Sequence, residues 1–365
     1  MALRRNSSSF IKEIDFQLLA AILILSCFGL LNLAGTAGAE SVFFKKQLIF
    51  FIIGIFIFFS SRFFDYRTFK NYTLLSASFF GSTIFLLLFT LQAEPVRGVT
   101  AWLHLPFGIS FETSEIAKLA VILFLARYFS SRGPSSGLLT IVVSGFYVFL
   151  AIFLVFLQPD FGSAVILFLI WLGGIFLFGF TKKQALFAFN LLILVALIIG
   201  TFILQPYQRS RLTSFLDGIL GQGRESYNVL QSKIAIGSGG LWGMGFGSGS
   251  QAKFGLLPEA YSDFALAALI EQFGFISLIL ILAAYFVILN RLFLSVSRVQ
   301  DNFSKFYIAM FLVYFFSHAA INIGMNLGVL PVTGLPLPFI SYGGSYLISL
   351  MVGFAILENI KSKSL

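Results

Sequence analysis

The sequence predicts an all-α polytopic membrane protein of about ten transmembrane helices. Three observations predict it. Of the 365 residues, 58% are hydrophobic and only 11% are charged, whereas a soluble domain carries about 25% charge. Apolar runs approaching the ~20 helical residues that cross a bilayer recur along nearly the whole chain. Basic residues in the short connections fall on alternate sides of those runs, as they do in membrane proteins.

Taken in order, the runs are 16–33, 43–60, 72–91, 116–129, 138–157, 161–180, 185–204, 264–289, 306–327 and 346–360. The fourth and last are short on hydropathy alone, so each is expected to extend through polar neighbours that face protein rather than lipid. The first follows Lys12, is too long for the apolar region of a cleavable leader, and lacks a small-residue cleavage site; it reads as an uncleaved span. With ten spans both termini share a side. Arg4, Arg5, Lys12, Arg62, Arg67, Lys70, Arg127, Arg132, Lys182, Lys183, Arg291, Arg298, Lys305, Lys361 and Lys363 fall on it, against Lys45, Lys46 and Arg97 in short loops opposite. Both termini are therefore expected in the cytoplasm. Residues 205–262 form the single long connection, on the outer side, and loops of that length are usually functional. The whole chain, 1–365, reads as one integral membrane domain, with no internal repeat to suggest an inverted-repeat transporter.

Composition also excludes. The formal charge of +9 is dispersed between spans rather than gathered in a patch, which argues against nucleic acid. A single cysteine, Cys27, rules out a disulfide framework within the chain. His104 and His318 are far apart and match no metal-ligand spacing.

Five stretches can carry chemistry. In 98–128, Trp102 suits the outer interface, and Ser114 before Glu115 resembles a helix start with acid in its first turn. Glu115 and Lys118, spaced i, i+3, share a helix face. Charges at membrane depth suggest function, although a structural ion pair is the plainer alternative. In Gln158-Pro159-Asp160, Asp160 either pairs with Lys118 or caps the helix that follows. Arg209 and Arg211 stand just outside a span on the side where cations need another reason. Guanidinium groups there fit a phosphate or pyrophosphate, or are solvated loop charges. In 237–275 a glycine-rich loop runs through Pro258 and Glu259 into an apolar helix taken to begin at Asp263. Its glycines either cradle an anion with backbone N–H groups or let the loop turn against the membrane. Partial desolvation would raise the Asp263 carboxyl towards the range useful to a general base, and Glu271 lies two turns deeper, placed to pair within the bundle. In 326–347, Pro331, Pro336 and Pro338 with Gly334, Gly343 and Gly344 break any helix. Such backbone survives at membrane depth only when buried in protein or lining a wet cavity, so this stretch is expected to re-enter.

SEIAKLA, QPDFGSA, QRSRLTSFLD, IAIGSGGLWGMGFGSGSQ, LPEAYSDF and TGLPLPFISYGGS, in this order, resemble the SEDS family (shape, elongation, division and sporulation), whose members include RodA, FtsW and SpoVE. The resemblance covers nearly the whole chain, and GLLNLAG and LPLPF place it nearer the RodA branch. It implies a ten-span inner-membrane peptidoglycan glycosyltransferase that polymerises lipid II during elongation, with Asp263 as catalytic aspartate. Glu115, Lys118 and Asp160 match the family's SE-x-AK and QPD motifs; with Trp102, Arg209, Arg211 and Glu259 they form the expected substrate-binding set. The resemblance further implies a class B penicillin-binding protein and the elongation machinery as partners, and the pyrophosphate leaving group leaves room for a divalent cation, Mg or Mn. Departures are small: Glu112 and Thr113 replace the usual Gln and Pro, Tyr261 stands for a common His, and Tyr346 for a second Ser. The rival readings are a lipid II flippase and a noncatalytic scaffold for the penicillin-binding protein.

Overall fold

The apolar runs are helices in the computed structural model, which describes residues 14–95, 99–105, 109–132, 137–178 and 226–364. In chain order these are α1 (Phe16–Ala37), α2 (Val42–Ser60), a short α3 (Arg67–Asn71), α4 (Thr73–Thr90), α5 (Thr113–Ser130), α6 (Gly137–Leu157) and α7 (Phe161–Phe178). After residue 225 come α8 (Tyr227–Ser238), α9 (Ser250–Lys253), α10 (Ala265–Arg298), α11 (Asn302–Asn326) and α12 (Gly344–Ser364). The expected span 185–204, and Arg209 and Arg211, lie outside the described residues.

Among the described residues, α1, α2, α4, α6, α7, α10 and α11 are each long and apolar enough to cross a membrane. The chain is a multi-pass membrane protein. α5 and α12 are of similar length but more polar, and the reason is their place. Thirteen residues of α5, from Thr113 to Phe129, are buried, because α4, α7 and α11 all pack against it. A helix that meets protein on every side need not be apolar to lipid. Lipid-facing side chains are apolar instead: Phe56 of α2 and Phe286 of α10 project outward.

Short polar residues start the helices. Asp15 accepts from the Leu18 N–H at 3.2 Å, Ser41 from Phe44 at 3.2 Å and Asp301 from Ser304 at 3.0 Å, each satisfying a first-turn donor that has no intrahelical partner. α1 packs on α10, and α2 on α12. At Gly29 of α1 a Cβ would lie 2.6 Å from the Ile340 carbonyl oxygen, so helix and non-helical backbone touch there directly.

Two features depart from the sequence reading. Two short strands, β1 (Trp102–Leu105) and β2 (Ile109–Glu112), pair antiparallel, with Trp102 opposite Glu112. And α10, 34 residues long, about 51 Å at 1.5 Å per residue, breaks at Gly274, where φ is +74°. The glycine-rich loop repairs the break. Met244 and Gly245 N–H groups donate to the Glu271 and Gln272 carbonyls (2.9 and 3.0 Å). Phe275 and Ile276 N–H groups donate back to Gly240 and Leu241 (2.9 and 3.3 Å). A Cβ on Gly274 would sit 2.2 Å from the Leu241 carbonyl oxygen. These glycines serve backbone contact, and the N–H groups of Met244 and Gly245 are spent on helix carbonyls rather than on a bound anion.

At one end of the bundle, Asp15 ion-pairs with Arg291 (2.7 Å) and Lys361 (2.6 Å), and Lys361 also meets Glu358 (2.9 Å). The start of α1 and the end of α12 therefore share a side, as the even span count requires.

Candidate active site

The opposite end gathers the polar motifs. Asp263 lies in a turn, half-buried, two residues before α10 begins. This corrects the expectation that it opens the helix: the N-cap position is Phe264, which makes no side-chain cap. What fixes Asp263 is its own backbone carbonyl, which accepts from both Asn322 and Asn326 side-chain amides at 3.0 Å. Asn326 also accepts from the Ala267 N–H at 3.1 Å, satisfying a first-turn donor of α10 in place of a cap. Glu259 shapes the turn. It adopts a left-handed conformation, φ +55°, uncommon for a residue with a Cβ; its carbonyl accepts from Ser262 and Phe264 N–H groups (both 3.1 Å), and its carboxylate from the Ser262 hydroxyl (2.7 Å).

Of the stretch 326–347 expected to re-enter, residues 327–343 are non-helical, while Asn326 ends α11 and Gly344 opens α12; the segment is buried at Leu335, Leu337, Phe339 and Ile340. Its carbonyls find donors on the surrounding helices: Asn322 to Leu335 (2.8 Å) and the Tyr285 hydroxyl to Pro338 (2.7 Å), with the His318 ring nitrogen Nδ1 at 3.4 Å from the Pro336 carbonyl oxygen. That is how irregular backbone is accommodated at membrane depth. Segment 333–335 runs between Asp263 and the first turn of α7. A Cβ on Gly334 would stand 3.8 Å from the Asp263 carboxylate, and one on Gly162, beside Asp160, would stand 2.9 Å from the Thr333 carbonyl oxygen.

Lys118 and Glu115 form a buried ion pair at 2.7 Å, with side chains 0% and 1% exposed. The Tyr314 hydroxyl donates to the other Glu115 oxygen at 3.3 Å. Of the two partners open to Lys118 in the sequence, the structure selects Glu115. Asp160 caps α7 instead, accepting from the Ser163 N–H at 3.0 Å. Ser114 is one residue inside α5; its hydroxyl donates to Glu112 (2.8 Å) and lies 3.3 Å from that of Ser163. The Glu112 N–H donates to Ser345 (3.0 Å), one residue into α12. The N-termini of α5, α7 and α12 thus converge, and their dipoles favour negative charge at this end. Trp102 lies on β1, opposite Glu112. The Glu271 carboxylate accepts from the Gln251 and Ala252 N–H groups (2.8 and 3.3 Å), holding α9.

Sequence reasoning missed the asparagines. Tyr314, His318, Asn322 and Asn326 recur every four residues and form one polar ridge of α11. In order they reach Glu115, the Pro336 carbonyl, and the Leu335 and Asp263 carbonyls. Polar residues at helical period in an apolar run are a readable signal; their targets, on other elements, are not.

The comparisons agree with this architecture. The cell cycle protein family FtsW/RodA/SpoVE matches residues 9–365. The chain is 36% identical over 264 residues to the peptidoglycan glycosyltransferase MrdB of Escherichia coli K12, covering 72% of this chain and 71% of that one. It is 33% identical over 329 residues to MrdB of Helicobacter pylori J99, covering 88% and 84%. A chain from a solved peptidoglycan synthase complex, described as coordinating polymerization and crosslinking, superposes with a TM-score of 0.79 at 25% identity, covering 95% of this chain and 97% of that one.

Proposed function

From the premise that the chain belongs to the FtsW/RodA/SpoVE family, we propose that it is a peptidoglycan glycosyltransferase polymerising lipid II, with Asp263 as general base. The observation that carries the reading is the presentation of Asp263. A half-buried carboxylate is held through its main chain by two asparagines and faces Gly334 of the non-helical segment 327–343.

In the reaction, the acceptor sugar's 4-hydroxyl attacks the anomeric carbon of the donor's muramyl sugar. A new C–O bond forms, the bond from that carbon to the pyrophosphate oxygen breaks, and undecaprenyl pyrophosphate leaves. Asp263 takes the hydroxyl proton. The leaving group is a stabilised anion, so it needs positive potential rather than a protein acid. Lys118 and the convergent N-termini of α5, α7 and α12 support that role, with Arg209 and Arg211 proposed to join them. Glu115 and Tyr314 hold Lys118 in place, while Asp160, Trp102 and Glu259 shape the approach of substrate.

A divalent cation, Mg or Mn, is the proposed companion of the pyrophosphate. Among the described residues no group of three or more His, Cys, Asp or Glu gathers at one point. The chain would therefore contribute one or two carboxylates and the substrate's phosphates the remaining ligands, a usual arrangement for Mg. The proposed setting is the bacterial cytoplasmic membrane, with the Asp263 end outside and both termini in the cytoplasm. Proposed partners are a class B penicillin-binding protein, which would cross-link the strands, and the elongation machinery; the superposing chain comes from a peptidoglycan synthase complex described as coordinating polymerization and crosslinking.

The test is Asp263→Asn in purified protein with lipid II. The side chains are isosteric and the backbone carbonyl bonds remain, so the variant is expected to accumulate in the membrane. Loss of the base is expected to cost about 10²–10⁴-fold in polymerisation. Polymer at the wild-type rate would overturn the assignment. Lipid redistribution without polymer from the wild-type protein would favour a flippase.

A further inference from the structure

The stretch from α8 to α9 exposes apolar side chains that neither the fold nor the site accounts for. The inner face of α8, Ser232 and Ala235, is buried against the bundle. Its outer face exposes Tyr227, Leu230 and Ile234, spaced i, i+3, i+7, so they form one stripe. Beyond α8, Leu241, Met244 and Phe246 are exposed too, and Trp242 is 80% exposed. Water-facing loops rarely show so continuous an apolar patch.

The level of the patch says what covers it. The Phe275 and Ile276 N–H groups bond the Gly240 and Leu241 carbonyls, which sets Leu241 and Trp242 beside the break at Gly274. Arg291 lies seventeen positions after Gly274, about 26 Å along a helix. Arg291 is ion-paired with Asp15 beside Lys361, the charged belt at the far end of the bundle. A hydrocarbon layer is about 30 Å thick. Trp242 therefore lies at the near edge of that layer, not above it in water. The patch is also continuous with the outward face of α10, where Phe275, Ile276, Ile279 and Leu280 are exposed on a membrane-crossing helix.

We propose that residues 227–246 lie in the bilayer interface, with their outer face covered by lipid acyl chains and Trp242 as the anchor. An amphipathic helix followed by an aromatic at headgroup level is the pattern of such elements. The segment leading to Asp263 is then tied to the membrane surface.

The experiment is the fluorescence of wild type minus that of Trp242→Phe, which isolates Trp242 without disturbing the buried Trp171. The full chain is reconstituted, without any other protein, in phosphatidylcholine vesicles whose acyl chains are brominated, or unbrominated with aqueous iodide. Acyl bromines are expected to lower the difference signal about twofold or more, whether or not iodide also reaches the ring. Absence of quenching by brominated lipid overturns the proposal. With iodide quenching it would mean that the loop stands in water; with neither, that protein covers it, a second copy included.

Discussion

Replacing Lys118 by methionine removes one member of an ion pair whose other member cannot reach water. Glu115 is 1% exposed and its nearest cation is Lys118 at 2.7 Å; after the change its remaining side-chain donor is the Tyr314 hydroxyl at 3.3 Å. Removing one partner of a buried pair leaves an uncompensated charge and costs about 3–5 kcal/mol, a large share of the ~5–15 kcal/mol that holds a typical protein folded. Methionine keeps the volume of the aliphatic stem, so the loss comes from charge rather than packing. Lys118→Met is expected to lower the unfolding temperature of the purified protein clearly. Lys118→Met with Glu115→Gln is expected to recover most of that loss, because the orphaned charge is gone. Polymerisation of lipid II is the second readout. If Lys118 serves only the fold, the double variant regains activity with stability; if it supplies positive potential, activity stays low while stability returns. A single variant as stable as wild type would refute the buried-pair argument. A double variant no more stable than the single would show that the cost lies elsewhere.

Gly334→Ala is expected to cost about 1–2 kcal/mol, because φ there is +76° and a Cβ disfavours the left-handed region. Its methyl would stand 3.8 Å from the Asp263 carboxylate, an ordinary contact, so polymerisation should fall only as far as the unfolding temperature explains. Burial pushes the Asp15 carboxyl up, but Lys361 and Arg291 more than offset it, and it lies below the ordinary value of 3.8. Its stabilising contribution is therefore fully present above that value and lost as pH falls through the depressed one; Asp15→Asn should be less stable than wild type at neutral pH, with the gap closing in strong acid. For topology, Cys27 is replaced by serine, and single cysteines are placed at Ala39, exposed between α1 and α2, and at Ser362. In intact cells an impermeant thiol reagent is expected to label the first and not the second; the reverse would invert the proposed orientation.

The sequence by itself determined the class of the protein and most of its spans. Hydropathy is a local property, and a run of about 20 apolar residues has few options but a helix across lipid. It also marked the middle of 326–347 as non-helical, because Pro331, Pro336 and Pro338 stand too close together for a helix to run through them, and it placed Glu115 and Lys118 on one face three residues apart. The tertiary structure alone decided what joins across the chain. Lys118 takes Glu115 rather than Asp160, Glu271 holds α9, and Asp263 is fixed by Asn322 and Asn326 rather than by opening a helix. The break in α10 was hidden too, since a lone glycine in an apolar run reads as helix until a second backbone fills the gap. Each of these depends on which side chain another element brings within about 3 Å of a donor or acceptor, and the linear order of residues does not contain that distance.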